Sequence, residues 1–294
     1  MISLAASRLC RRLRGGGLPA GARSRLRAVW VRRFDFSLAA SRLRRRLHGG
    51  GLPAGARSRL RAVWVSPILA LLCHGGIAQA QAYQCSIPRG QITLPRVTPD
   101  GPRREIPVTG YTLALSWSPE FCRSREDRPQ NARQCSGRAG SFGLIVHGLW
   151  PEGRSSWPQW CEANRQPSQR ELRQSLCMTP DAALLAHEWA KHGSCMTQSP
   201  DAYLRATRIL WRSLRLPDYD ALSRRDGLTA ADVRHAFADA NAAFEPEMVG
   251  LVVNERGWLR EMRLCYGTDF MPARCDRRRL GPDDDAPVRI WRGL

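Results

Sequence analysis

Phe142-Gly143-Leu144-Ile145-Val146-His147-Gly148-Leu149-Trp150-Pro151-Glu152 is an apolar run that breaks at an imidazole. Phe142–Val146 has the length and composition of a buried strand. Its end delivers His147 to a rim, where Gly148 frees the backbone to turn away. A second run, His187-Glu188-Trp189-Ala190-Lys191-His192-Gly193-Ser194-Cys195, has another character. It reads as the end of a helix that opens at Thr179-Pro180-Asp181, with Thr179 as cap and Pro180 at the first position. That helix runs through Ala182–His192 and stops at Gly193. One strand and one helix therefore carry His147, His187, Glu188, Lys191 and His192.

Working outward, Tyr111–Trp117 alternates apolar and polar residues as a strand does, and Ser118-Pro119 closes it. Glu247–Val253 and Gly257–Cys265 read as a strand pair around Asn254-Glu255-Arg256, and Val288–Trp291 as a last strand. Ser199-Pro200 opens a helix over Ala202–Leu214, and Thr229 caps another over Leu228–Ala243. Strands and helices are interspersed but too sparse for a doubly wound sheet. The expected fold is α+β: a central antiparallel sheet with several helices packed around it, stapled by disulfides.

The formal charge of +20 is unevenly placed. Residues 1–80 hold 16 arginines and one acid, Asp35, leaving 30 basic against 25 acidic residues in 81–294. The remainder is mildly basic, compatible with a polyanionic substrate. Residues 3–31 and 37–65 are identical at 27 of 29 positions, an Arg/Gly-rich duplication. Two near-identical copies fit a recent tandem duplication better than a repeat fold. A basic arm for nucleic acid or membrane is the functional alternative. Ala62–Leu72 and Ala78-Gln79-Ala80 then form a signal peptide with cleavage before Gln81. The organisation expected is a duplicated segment and signal peptide over 1–80, an extended lead-in over 81–110, and a catalytic domain over 111–294. The product is exported, to the periplasm or beyond, with no stable membrane association. Eight cysteines follow residue 80, none in a C-x-x-C pair, which favours disulfides over a zinc ribbon.

Lys191 is the only lysine in a chain of 45 arginines, so a compact ammonium is wanted there. The zinc-peptidase pattern needs histidines four apart on one helical face. Here they are five apart, about 140° around the helix, and Lys191 holds the i+4 place. Glu188, Lys191 and His192 share a face instead. With His147 they supply two proton carriers and a cation, with no metal site, no cofactor and no nucleophilic Ser or Cys motif. One neutral imidazole takes a proton from an attacking hydroxyl, the other gives one to a leaving oxygen, and Lys191 stabilises phosphoryl charge. Trp157 and Trp160 flank Pro158-Gln159 in the loop ending at Cys161. Trp157 suits either base stacking or packing, while Trp160 reads as core.

FGLIVHGLWPEG (142–153), HEWAKHGSC (187–195) and LALSWSPEFC (113–122) together resemble the signature segments of the ribonuclease T2 family, over about residues 110–275. The resemblance implies an endoribonuclease acting on single-stranded RNA through a 2′,3′-cyclic phosphate, sparing DNA and working as a monomer. It implies His192 as base, His147 as acid, Glu188 and Lys191 as stabilisers of the transition state, and His187 as a phosphate contact. Trp150, Glu152 and Trp157 are implied at the base-binding positions. Cys161–Cys195 and Cys265–Cys275 are the implied bridges, while Cys122 is left with either Cys135 or Cys177. A catalytically silent secreted RNA-binding or inhibitory protein of the same fold is the alternative.

Overall fold

The computed structural model describes residues 84–293, so the duplicated segment and the signal peptide lie outside it. The strands are β1 (Gly110–Trp117), β2 (Leu144–Glu152), β3 (Val249–Val253) and β4 (Leu259–Tyr266). They form one antiparallel sheet in the order β2-β1-β4-β3. The helices are α1 (Ser118–Cys122), α2 (Ala132–Cys135), α3 (Gln169–Ser175), α4 (Ala182–Lys191), α5 (Pro200–Ser213), α6 (Tyr219–Ser223), α7 (Ala230–Ala240) and α8 (Arg277–Leu280). The fold is α+β.

Register separates the two faces of the sheet. Val146, Leu115, Met262 and Leu251 form one row across the four strands, all essentially buried. They join the core that α4, α5 and α7 complete with Trp189, Tyr203, Leu204, Val233 and Phe237. The adjacent row on the other face is Ile145, Ser116, Glu261 and Val252, and it turns toward the functional site.

Four expectations are corrected. The strand through Phe142–Val146 does not end at His147: β2 continues to Glu152. Its pairing passes from Val146–Leu115 to Gly148–Ala114, leaving His147 as the extra residue of a β-bulge. Pro151 is accommodated within β2 because β2 is an edge strand. Second, α4 is capped by Asp181, whose carboxylate accepts from the N–H groups of Ala183 and Leu184. Thr179 instead donates its hydroxyl to the Val146 carbonyl at 2.7 Å, and Val146 N–H donates to the Met178 carbonyl. These bonds fix α4 to the outer edge of β2.

Third, Gly193 is no left-handed cap. The chain passes into a 3-10 turn over Gly193–Cys195, and a Cβ at Gly193 would stand 2.7 Å from both Trp189 and Tyr203. The glycine permits close packing. Fourth, Val288–Trp291 forms no strand; Arg289 makes only an isolated bridge to Trp258.

Residues 84–109 form no helix or strand, yet they are held in place. Cys85 is bonded to Cys177, and Arg104 and Gln159 exchange backbone hydrogen bonds. The other bridges are Cys122–Cys135, Cys161–Cys195 and Cys265–Cys275. Among the described residues, no helix is long and apolar enough to cross a membrane. Gly193→Ala should cost about 1–3 kcal/mol through overpacking. Urea unfolding measures this, and an unchanged midpoint would contradict the packing assigned to Gly193.

Candidate active site

The bulge at His147 changes the parity of β2. Residues three apart on a regular strand face opposite sides of the sheet. The inserted residue brings His147 and Trp150 to the same side. Gly148 lies between them and must lack a side chain, because a Cβ there would overlap Glu188 Oε2 and stand 2.6 Å from Trp150 Nε1. Through that gap the Glu188 carboxylate reaches the strand. Trp150 Nε1 donates to Glu188 Oε2 at 2.7 Å, and His147 Nε2 lies 3.5 Å from Glu188 Oε1. The Trp150 ring packs 5.2 Å from the His147 ring and 5.6 Å from the His192 ring, centroid to centroid.

On its other side, His147 Nδ1 is 2.9 Å from Glu261 Oε2, and Arg263 Nε donates to Glu261 Oε1 at 2.8 Å. Sequence reasoning missed Glu261. In Leu259–Tyr266 a carboxylate followed by Met and Arg looks like the solvated side of an ordinary strand. Only the register across β1 places it beside His147.

Lys191 and His187 sit on a neighbouring shoulder. Lys191 Nζ donates to Asp100 Oδ2 at 2.7 Å, and Asp100 Oδ1 accepts from Trp160 Nε1. His187 meets the Trp160 ring edge-on at 5.4 Å. Trp160 is buried, but its ring also lies under the Lys191 ammonium, 5.8 Å from the ring centroid. Trp157 is exposed, hydrogen-bonded to Gln159 and covered by Arg104 at 5.3 Å. Glu152, at the far end of β2, accepts from Thr112 Oγ1 and lies 3.7 Å from Arg279. The structure therefore gathers His147, Trp150, Glu188 and His192, and sets Trp157 and Glu152 among other partners.

The two imidazoles are tuned in opposite directions. Burial disfavours the His192 cation, Lys191, His187 and His147 add repulsion, and the pKa falls to about 3. Burial also works against charged His147, but the Glu261 hydrogen bond and the carboxylates of Glu188 and Glu261 outweigh it. Its pKa rises above the ordinary histidine value. Burial pushes Glu188 up to about 7, against the pull of His147 and the Trp150 N–H. The surroundings thus favour the charged form of His147 and the neutral form of His192. No three His, Cys, Asp or Glu side chains among the described residues converge as metal ligands.

The sequence model of the ribonuclease T2 family matches residues 109–266, more than half of the chain. The chain belongs to the ribonuclease T2 family. It is 35% identical over 129 residues to a probable ribonuclease of Haemophilus influenzae, covering 40% of this chain and 47% of that protein. Identity is 38% over 85 residues to a ribonuclease of Aeromonas hydrophila, covering 29% and 36%. The chain thus spans about half the length, or less, of these curated family relatives. A solved structure, trichomaglin, described as a novel S-like ribonuclease, aligns at 22% identity and a TM-score of 0.49, covering 62% of this chain and 97% of that one. Within this cluster, Glu261→Gln should lower the His147 pKa by about one pH unit or more. Titration of the imidazole ring protons by NMR checks it; an unmoved His147 midpoint would remove Glu261 from the account.

Proposed function

We propose that this protein is an exported, metal-independent endoribonuclease that cleaves single-stranded RNA by transphosphorylation. The observation that carries the proposal is the opposite tuning of His147 and His192 around one buried carboxylate. Neutral His192 takes the proton of the ribose 2′-hydroxyl, whose oxygen attacks the adjacent phosphorus. The bond from phosphorus to the 5′-oxygen breaks, and charged His147 gives its proton to that oxygen. The products are a 2′,3′-cyclic phosphate and a free 5′-hydroxyl. Water then opens the cyclic ester with the two roles reversed, leaving a 3′-phosphate.

Lys191 is suited to the charge growing on the phosphoryl oxygens, which take the place of the Asp100 carboxylate beside its ammonium. Glu188 supports the His147 proton, and His187 approaches phosphate from the same shoulder. Trp150 holds Glu188 in position and borders the base-binding surface. Exposed Trp157 offers a stacking face, and Glu152 a carboxylate for base recognition, farther along the same strand. Four disulfides suit an oxidising compartment, hence export. The proposed working form is a monomer, and DNA is spared because it lacks the attacking hydroxyl.

Incubation with RNA in EDTA should produce 2′,3′-cyclic ends while DNA stays intact. Loss of cleavage in EDTA, or equal cleavage of DNA, would overturn the reading. His147→Ala and His192→Ala should each lower kcat by roughly 10²–10⁴, measured on a dinucleotide; a near-normal rate in either would refute its role. The pH–rate curve has a worked-out sign. Activity falls as pH rises through the elevated His147 pKa, because the acid is lost. On the acid side His192 stays neutral down to about pH 3, so it sets no limb near 6.5. An acid limb at the ordinary histidine value that persists in Glu188→Gln, and so does not come from the Glu188 carboxyl that burial pushes up to about 7, would contradict the assignment of His192 as base.

A further inference from the structure

Beside His147 the sheet face opens into a cavity of about 890 Å³. Ser116, Ile145 and Glu261 form its floor, α1 and the turn after it one wall, and the β3–β4 turn the other. Five arginines line it: Arg123, Arg125, Arg256, Arg260 and Arg263. Its acids are already committed. Glu261 is held between His147 and Arg263, Asp181 caps α4, and Glu120 accepts from Asn254 and lies 3.7 Å from Arg123.

The arginines divide by what they do. Arg263 holds Glu261, and Arg125 donates to the Phe121 carbonyl. Arg123 stacks over Trp291 at 4.3 Å and Trp258 at 5.2 Å. The side chains of Arg256 and Arg260 make no hydrogen bond or ion pair with the described residues, and both are exposed. Arg260 arrives by the same device as His147. Pairing between β3 and β4 passes from Val252–Glu261 to Val253–Leu259, so Arg260 is the extra residue of a second bulge. Two bulges, on β2 and β4, thus aim an imidazole and a guanidinium into one cavity.

We propose that Arg256 and Arg260 form a phosphate subsite for the phosphate group 3′ to the leaving nucleoside. The inference rests on the ribonuclease reading, which puts the 5′-oxygen of that nucleoside at His147. The nucleoside then extends from His147 into the cavity, and its own 3′-phosphate reaches the far wall. A guanidinium pair with free donors there matches phosphate oxygens in charge and geometry. The contact reads backbone and not base, so the selectivity it gives is for substrates longer than a dinucleoside.

The test compares a dinucleoside monophosphate with the same molecule carrying a 3′-phosphate, and uses the Arg256→Ala/Arg260→Ala double variant. The wild-type enzyme should cleave the phosphorylated substrate with a kcat/KM roughly ten-fold higher, and the variant should lose that preference. The readout is a ratio between two substrates on one protein, so partial loss of active material does not move it. In parallel, uncleavable 2′-deoxy forms of both molecules are titrated calorimetrically. Tighter wild-type binding of the phosphorylated form, lost in the variant, supports the subsite even if no cleavage of either substrate occurs, an outcome that would sink only the ribonuclease reading. Equal binding of the two forms by the wild type, or a preference that survives in the variant, overturns the subsite.

Discussion

A carboxylate withdrawn from water sets the terms for this site. Glu188 is 4% exposed, in a strand–helix junction with little room for rearrangement. A buried charge without partners costs several kcal/mol, so everything near it must either neutralise it or bond to it. Trp150 provides an N–H, His147 a balancing cation, and Gly148 the absence of a side chain that lets the carboxylate come so near the strand. The bulge makes the first two possible together, since without it Trp150 and His147 would face opposite sides of the sheet. Thr179 and Met178, bonded to Val146, then hold α4 against the edge on which this depends.

From that constraint follows the division between the imidazoles. His147 lies between two carboxylates, which favour its charged form, while burial and the nearby Lys191 ammonium favour the neutral form of His192. Acid and base are thereby distinguished by environment with the same side chain in both places. Arg263 contributes at one remove: burial works against the Glu261 carboxylate, but the His147 hydrogen bond and charge, and after them Arg263, hold its pKa below the ordinary value. The lone lysine is kept ready on the shoulder by Asp100, from a lead-in segment with no regular structure of its own.

Much of this was legible in the sequence. Alternation in Tyr111–Trp117 and helical spacing around Glu188 gave the two elements that matter most, and the i+5 histidine spacing argued against a shared metal face. What escaped was whatever depends on pairing across strands. A bulge is one residue counted against a partner strand, so His147 looked like a strand end when it lies within one. Glu261 needed the β1–β4 register to be seen beside His147. The cap of α3 is written in the sequence, where Ser168 and Glu171 stand at capping-box spacing, and the two bond reciprocally. For Cys122 the two open partners could be separated only once Cys177 was found joined to the lead-in at Cys85.

The central claim is that the two imidazoles hold opposite charge states at the same pH. Nitrogen-15 chemical shifts of both rings, recorded on the free protein at pH 6, test it directly. The account predicts two protonated nitrogens on His147 and a single protonated nitrogen on His192. Two imidazoles in the same protonation state, or the reverse assignment, would contradict it.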